Sequence, residues 1–202
     1  MDQVIKLNSN STDSADYLAG SSIMSLVAHV TKSRVNLPEN SLQYFTCGRS
    51  YRPVTENDLP GLFGATQSVK MNMMSLCRDS DSCYEVLQSE KNKLWELYKQ
   101  LDIPCRLITV SAPSLHRSEE LRIELQIWAK SIQQFIKVAC VSMVSDYISR
   151  RLMIRHFKGQ LPVFMTYTEA LDVTRLIAVL LEYGSIEKET YSIPRLKFLE
   201  DS

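Results

Sequence analysis

The chain carries no surplus of charge. Its 202 residues hold 23 Lys plus Arg against 23 Asp plus Glu, a formal net charge of zero, so no chain-wide basic field is available to hold nucleic acid through phosphate attraction alone. Any uninterrupted apolar run of about 18 residues, which a membrane-spanning helix needs, is also missing, and no membrane partner is expected. The five cysteines, Cys47, Cys77, Cys83, Cys105 and Cys140, are odd in number, widely spaced and without a Cys-x-x-Cys pair. That spacing argues against a disulfide framework or a zinc knuckle and for buried free thiols in a reducing compartment. His29, His116 and His156 stand far apart with no Cys/His neighbours, which supports neither a metal centre nor a Ser-His-Asp relay. The opening residues carry neither a secretory apolar core nor an Arg-rich amphipathic presequence.

What is present suits one globular domain, with 45% hydrophobic and 23% charged residues. Residues 8–16 are polar and turn-prone, and residues 1–16 are read as a flexible lead-in to a domain over 17–202. The pattern predicts a helix over 18–30 and an antiparallel pair from residues 43–49 and 67–76, joined by the Pro- and Gly-bearing stretch 52–64. Loops of that length usually touch a ligand or partner. From Ser82, Val86, Leu87, Leu94, Leu97, Tyr98 and Leu101 recur at helical spacing, with Ser80, Asp81 or Ser82 as the cap. Strands are predicted over 105–110, 123–128, 135–140 and 161–166, and helices over 145–156 and 169–183, the last stopping at Gly184. Antiparallel strands with a few covering helices make an α+β architecture. Met71, Met73 and Met74, like Trp95 and Trp128, read as packing residues, and Arg150 as a partner of Asp146 four residues away.

Four stretches then resemble the class II seryl-tRNA synthetase catalytic domain. They are Tyr17-Leu-Ala-Gly-Ser-Ser; Cys47-Gly-Arg-Ser-Tyr with Gly61-Leu-Phe and Gln67-Ser-Val-Lys; Ile127-Trp128 with Ser142 and Asp146-Tyr-Ile-Ser-Arg-Arg151; and Val173-Thr-Arg-Leu-Ile-Ala-Val-Leu-Leu-Glu182 with Ile193-Pro194. The resemblance implies an antiparallel sheet over which ATP binds, with Arg49 at the α-phosphate and Arg175 near the γ-phosphate. It also implies that this chain starts just upstream of the serine-recognition element. The tRNA-binding arm and the first class motif are then expected to be absent, exposing apolar surface and a sheet edge and favouring association.

Other positions depart from that family. Tyr51 replaces the acid two places after Arg49, and Asn72 the glutamate of the returning strand. Lys137 and Cys140 replace a metal-binding glutamate and a small polar residue, and Ile23 the glutamate that meets the substrate ammonium. Tyr167-Thr-Glu-Ala170 replaces a glycine-rich turn. These losses imply a cradle emptied of anions on a retained scaffold, with no catalytic residue, no metal and ATP at most a weak ligand of a vestigial Arg49/Arg175 pocket. The pattern is most similar to the non-catalytic seryl-tRNA synthetase-like insect mitochondrial proteins. That likeness implies a mitochondrial pseudoenzyme that heterodimerises with the authentic seryl-tRNA synthetase, touches serine tRNA through it and supports seryl-tRNA aminoacylation and translation. The alternative is an ATP-dependent aminoacyl-tRNA ligase, or other adenylate-forming enzyme, of altered specificity.

Overall fold

Period-2 runs of β-branched and apolar residues recur from Ser41 to Asp172, and in the computed structural model they assemble into one six-stranded sheet. The structure describes residues 5–7, 16–38, 41–55, 58–159, 161–187, 190–192 and 194. Most of the lead-in over 1–16, and Ile193, lie outside them. In chain order the elements are α1 (Ile23–Val30), β1 (Arg34–Val35), β2 (Ser41–Tyr51), β3 (Gln67–Cys77), α2 (Ser80–Lys99), β4 (Cys105–Thr109), β5 (Leu121–Ala129), β6 (Gln134–Ser145), α3 (Tyr147–Leu152), β7 (Arg155–His156), β8 (Phe164–Asp172), α4 (Val173–Tyr183), β9 (Ser185–Glu187) and β10 (Thr190–Ser192). The sheet order is β2-β3-β8-β6-β5-β4, every neighbour antiparallel.

Each face buries its own apolar cluster. On one face α2 and α4 cover Leu125, Ile127, Val138 and Val141 with Leu87 and Val179. On the other, α1 packs Val27 and Val30 against Met74, Leu76 and Met165, and beyond that patch the floor turns polar.

Three predicted helices are shorter than their periodicity suggests. The helix over 18–30 begins only at Ile23, because Tyr17 bridges to Lys6 and the Ala19 carbonyl accepts from the Tyr51 amide at 2.9 Å. The helix over 145–156 is confined to α3, which Met153 ends in the left-handed region at φ 54°; Arg155 and His156 then pair with β1. The helix over 169–183 starts at Val173, since residues 169–172 continue β8. Gly184 does end α4, in extended rather than left-handed backbone. The cap of α2 is Asp79, one residue before the predicted candidates. Its carboxylate accepts from the Ser82 amide while the Ser82 hydroxyl accepts from the Asp79 amide.

Candidate functional site

Two β-bulges bring the polar floor together. Between β3 and β8, Asn72 faces Glu169 while Met71 faces Leu171, so Ala170 is an extra residue; the buried Tyr98 hydroxyl donates to its carbonyl at 3.1 Å. Between β5 and β6, Leu125 faces Ala139 and Gln126 faces Lys137, which makes Val138 extra. In a regular strand residues three apart point to opposite faces. Each bulge reverses that, placing Glu169 with Asp172 and Lys137 with Cys140 on the α1 side.

There Glu169 Oε1 meets Lys70 Nζ at 3.2 Å and Lys137 Nζ at 3.8 Å, and Lys70 also lies 3.7 Å from Asp172. Asp172 caps α4 by accepting from the Arg175 amide and takes the Ser68 hydroxyl at 2.5 Å. Arg175 donates to the Lys137 carbonyl at 2.9 Å and the Phe63 carbonyl at 3.2 Å. Burial pushes the Glu169 carboxyl up, but the ammoniums of Lys137 and Lys70 outweigh it and hold it below the ordinary glutamate range.

Beside this cluster a hydrogen-bonded chain crosses the floor. The Tyr167 hydroxyl donates to Asn72 Oδ1 at 2.8 Å, Asn72 Nδ2 donates to Ser22 Oγ at 2.8 Å, and Ser21 Oγ lies 3.1 Å from the Tyr167 hydroxyl. Asn72 is fully buried, and burial raises the Tyr167 phenol well above its ordinary value. Ile23 opens α1 against the apolar patch. The Cys140 thiol, buried opposite Glu169, is raised by desolvation.

A pocket of about 70 Å³ opens next to the cluster, lined by Arg52, Ser68, Lys70, Asp172, Thr174 and Arg175. Arg175 is therefore at the pocket. Arg49 is not: with Gly48 opposite Lys70 and Ser50 opposite Ser68, it stands opposite Val69 on the other face of the ribbon and is exposed. The Arg49/Arg175 pairing expected from the resemblance is not formed, and Tyr51 ends β2 across from Gln67.

The cation that joins Arg175 is Arg52, from the long loop. Its guanidinium binds Asp58 at 2.5 Å and the carbonyls of Ala65 and Gly64; hydrogen bonding from Arg52 lowers Asp58 to about 2. The Arg150 and Asp146 pair forms, at 2.5 Å, and Arg151 lies 3.5 Å over the Tyr147 ring.

The expectation of an anion-free cradle is corrected, because two carboxylates occupy it. Glu169 and Asp172 went unrecognised because 169–172 reads as helix, where they would not share a strand face; Lys70 sits inside a matched motif, and Arg52 at a loop end. The residues do not fit a divalent metal: the carboxylates already face two ammoniums, and among the described residues no group of three or more His, Cys, Asp and Glu is arranged to hold one.

The family model for the tRNA synthetase class II core domain (G, H, P, S and T) matches residues 19–183. The serine–tRNA synthetase-like protein Slimp of Drosophila melanogaster is 30% identical over 181 residues, covering 87% of this chain and 39% of that protein. The serine–tRNA ligase of Mycoplasmopsis agalactiae is 28% identical over 153 residues, 74% of this chain and 36% of that protein. This chain thus spans less than two-fifths of these relatives' length. Among solved structures, the cytoplasmic serine–tRNA ligase of Naegleria fowleri in complex with AMP superposes with a TM-score of 0.85 at 17% identity, over 99% of this chain and 47% of that one. The seryl-tRNA synthetase of Pyrococcus horikoshii complexed with ATP gives 0.82 at 22% identity, over 96% and 44%. At those identities the likeness establishes the fold, a class II synthetase core.

Proposed function

From the premise that the chain belongs to the class II tRNA synthetase core domain family, we propose that it is a catalytically inactive seryl-tRNA synthetase-like protein. It works by associating with an authentic mitochondrial seryl-tRNA synthetase as a heterodimer, supporting seryl-tRNA aminoacylation and mitochondrial translation. It reaches serine tRNA through that partner. The observation that carries the reading is the chain Ser21, Tyr167, Asn72, Ser22, in which the polar groups next to Ile23 bond to one another. A serine hydroxyl and ammonium find no free carboxylate there, and a recognition site lacking its polar partner discriminates poorly. The lysine-paired carboxylates support the same reading. Residue identity with Slimp supports the choice of branch.

Affinity purification of the chain from mitochondria is expected to recover a seryl-tRNA synthetase in stoichiometric amount, and recovery of no synthetase would overturn the partner role. A second reading, an ATP-dependent ligase of altered specificity, draws on Arg52, Lys70 and Arg175 converging on one pocket. Pyrophosphate exchange with any proteinogenic amino acid would establish it in place of the first; exchange with none is expected.

A further inference from the structure

We infer that the ammonium groups of Lys70 and Lys137 serve this fold as a built-in cation, locking Glu169 and Asp172 where the catalytic family holds a divalent metal. The inference concerns the same site as the proposed function but depends on neither the partner nor the compartment.

Three observations carry it. First, Glu169 Oε1 lies between the two ammoniums, at 3.2 and 3.8 Å, and Lys70 bridges onward to Asp172 at 3.7 Å. A carboxylate shared in this way keeps no net charge with which to recruit Mg²⁺ or Mn²⁺, and an added dication would face both lysines at short range. Second, two bulges assemble this cluster: one sets Glu169 beside Asp172, the other turns Lys137 toward them. Third, the lock extends to α4, because the Lys137 carbonyl accepts from Arg175 and Asp172 caps the helix. The lysines thus do structurally what a bridging ion does: they join β3, β6, β8 and the start of α4. Ion-paired ammoniums need no free metal, so the organisation of the site is independent of divalent supply.

The test uses the whole chain, with Mn²⁺ as the probe read by electron paramagnetic resonance. The parent is expected to show no saturable Mn²⁺ binding and the same thermal midpoint with EDTA as with Mg²⁺. Lys137→Glu places a third acidic or thiol donor beside Glu169 and Cys140, and should bind Mn²⁺ at least about tenfold more tightly than the parent, a gain that E169Q added to it removes. One saturable Mn²⁺ site in the parent that E169Q abolishes would overturn the inference, as would a folded K137E chain with no gain. If K137E fails to fold without metal, Lys137→Met keeps the stem and drops the charge. The stability losses of K137M and E169Q should then be non-additive, the double variant losing less than their sum; additive losses count against the lock. A chain that binds no synthetase leaves these readings unchanged, and a Mn²⁺-binding parent leaves the partner role standing.

Discussion

Glu90 is a buried carboxylate on α2, 1% exposed, at the face of the sheet opposite the polar floor. It accepts from Ser75 Oγ at 2.5 Å, Thr168 Oγ1 at 2.6 Å, Thr166 Oγ1 at 3.3 Å and Gln43 Nε2 at 3.4 Å. Hydroxyls from β3 and β8 and an amide from β2 therefore hold it, without an ion-pair partner among the described residues. Burial raises its pKa, and the hydroxyls offset this only in part. A carboxyl whose folded value is raised binds its proton more tightly in the native state, so its contribution declines as pH climbs from the ordinary value of about 4.3 through the folded one. Glu169 works the other way: its value is lowered, so its contribution is present above the ordinary value and is lost as pH falls through the folded one. Glu90→Gln, which mimics the protonated form, is expected to flatten the fall in stability as pH rises above the ordinary glutamate value in urea titrations, and a slope equal to the parent's would refute this. Truncation by Glu90→Ala should cost about 2–4 kcal/mol, leaving a cavity and three unpaired hydroxyls.

Elements in this chain end where side chains outside the helix periodicity take over. The run Glu169-Ala-Leu-Asp172 has good helix formers, yet it continues β8: Thr166 and Thr168 reach Glu90 on one face while Tyr167 and Glu169 serve the other. Long-range pairing of this kind overrides weak local propensity. By contrast α2 agrees with its sequence over five turns, and only the cap was misplaced, by one residue. There Asp79 and Ser82 form the reciprocal pair that satisfies two free amides. Asp79→Ala should lower stability by about 1 kcal/mol, read as a reduced midpoint in guanidinium with an unchanged slope. The Asp79 carboxyl is lowered chiefly by the Ser82 amide, so the difference between parent and variant should shrink as pH falls below the ordinary aspartate value; a pH-independent difference would tell against the capping bond.

At the scale of the molecule, one sheet serves two apolar clusters, Leu87 in the one under α2 and Leu76 in the one under α1, each fully buried. Because β3, β6 and β8 contribute to both faces, neither cluster can be lost while the other keeps its sheet. Leu87→Ala and Leu76→Ala should each cost about 2–5 kcal/mol and shift one common transition, with far-ultraviolet circular dichroism and tryptophan fluorescence superposing. Two separated transitions would show instead that the faces unfold independently.

Residue patterning by itself determined the α+β class, the hairpin of β2 and β3, the alternation of β5 and the long helix α2, because these depend on periodicities of two and 3.6 that neighbouring residues display. Arg175, Asn72, Lys137 and Cys140 were pointed to by the family resemblance and not by periodicity. Only the tertiary structure decided which face each side chain meets. That choice rests on strand register and on the bulge residues Ala170 and Val138, and one residue of register reverses a face. So Arg49 turned outward, Arg52 took the place beside Arg175, and Glu169 and Asp172, read as helix, came to stand together against two lysines from β3 and β6.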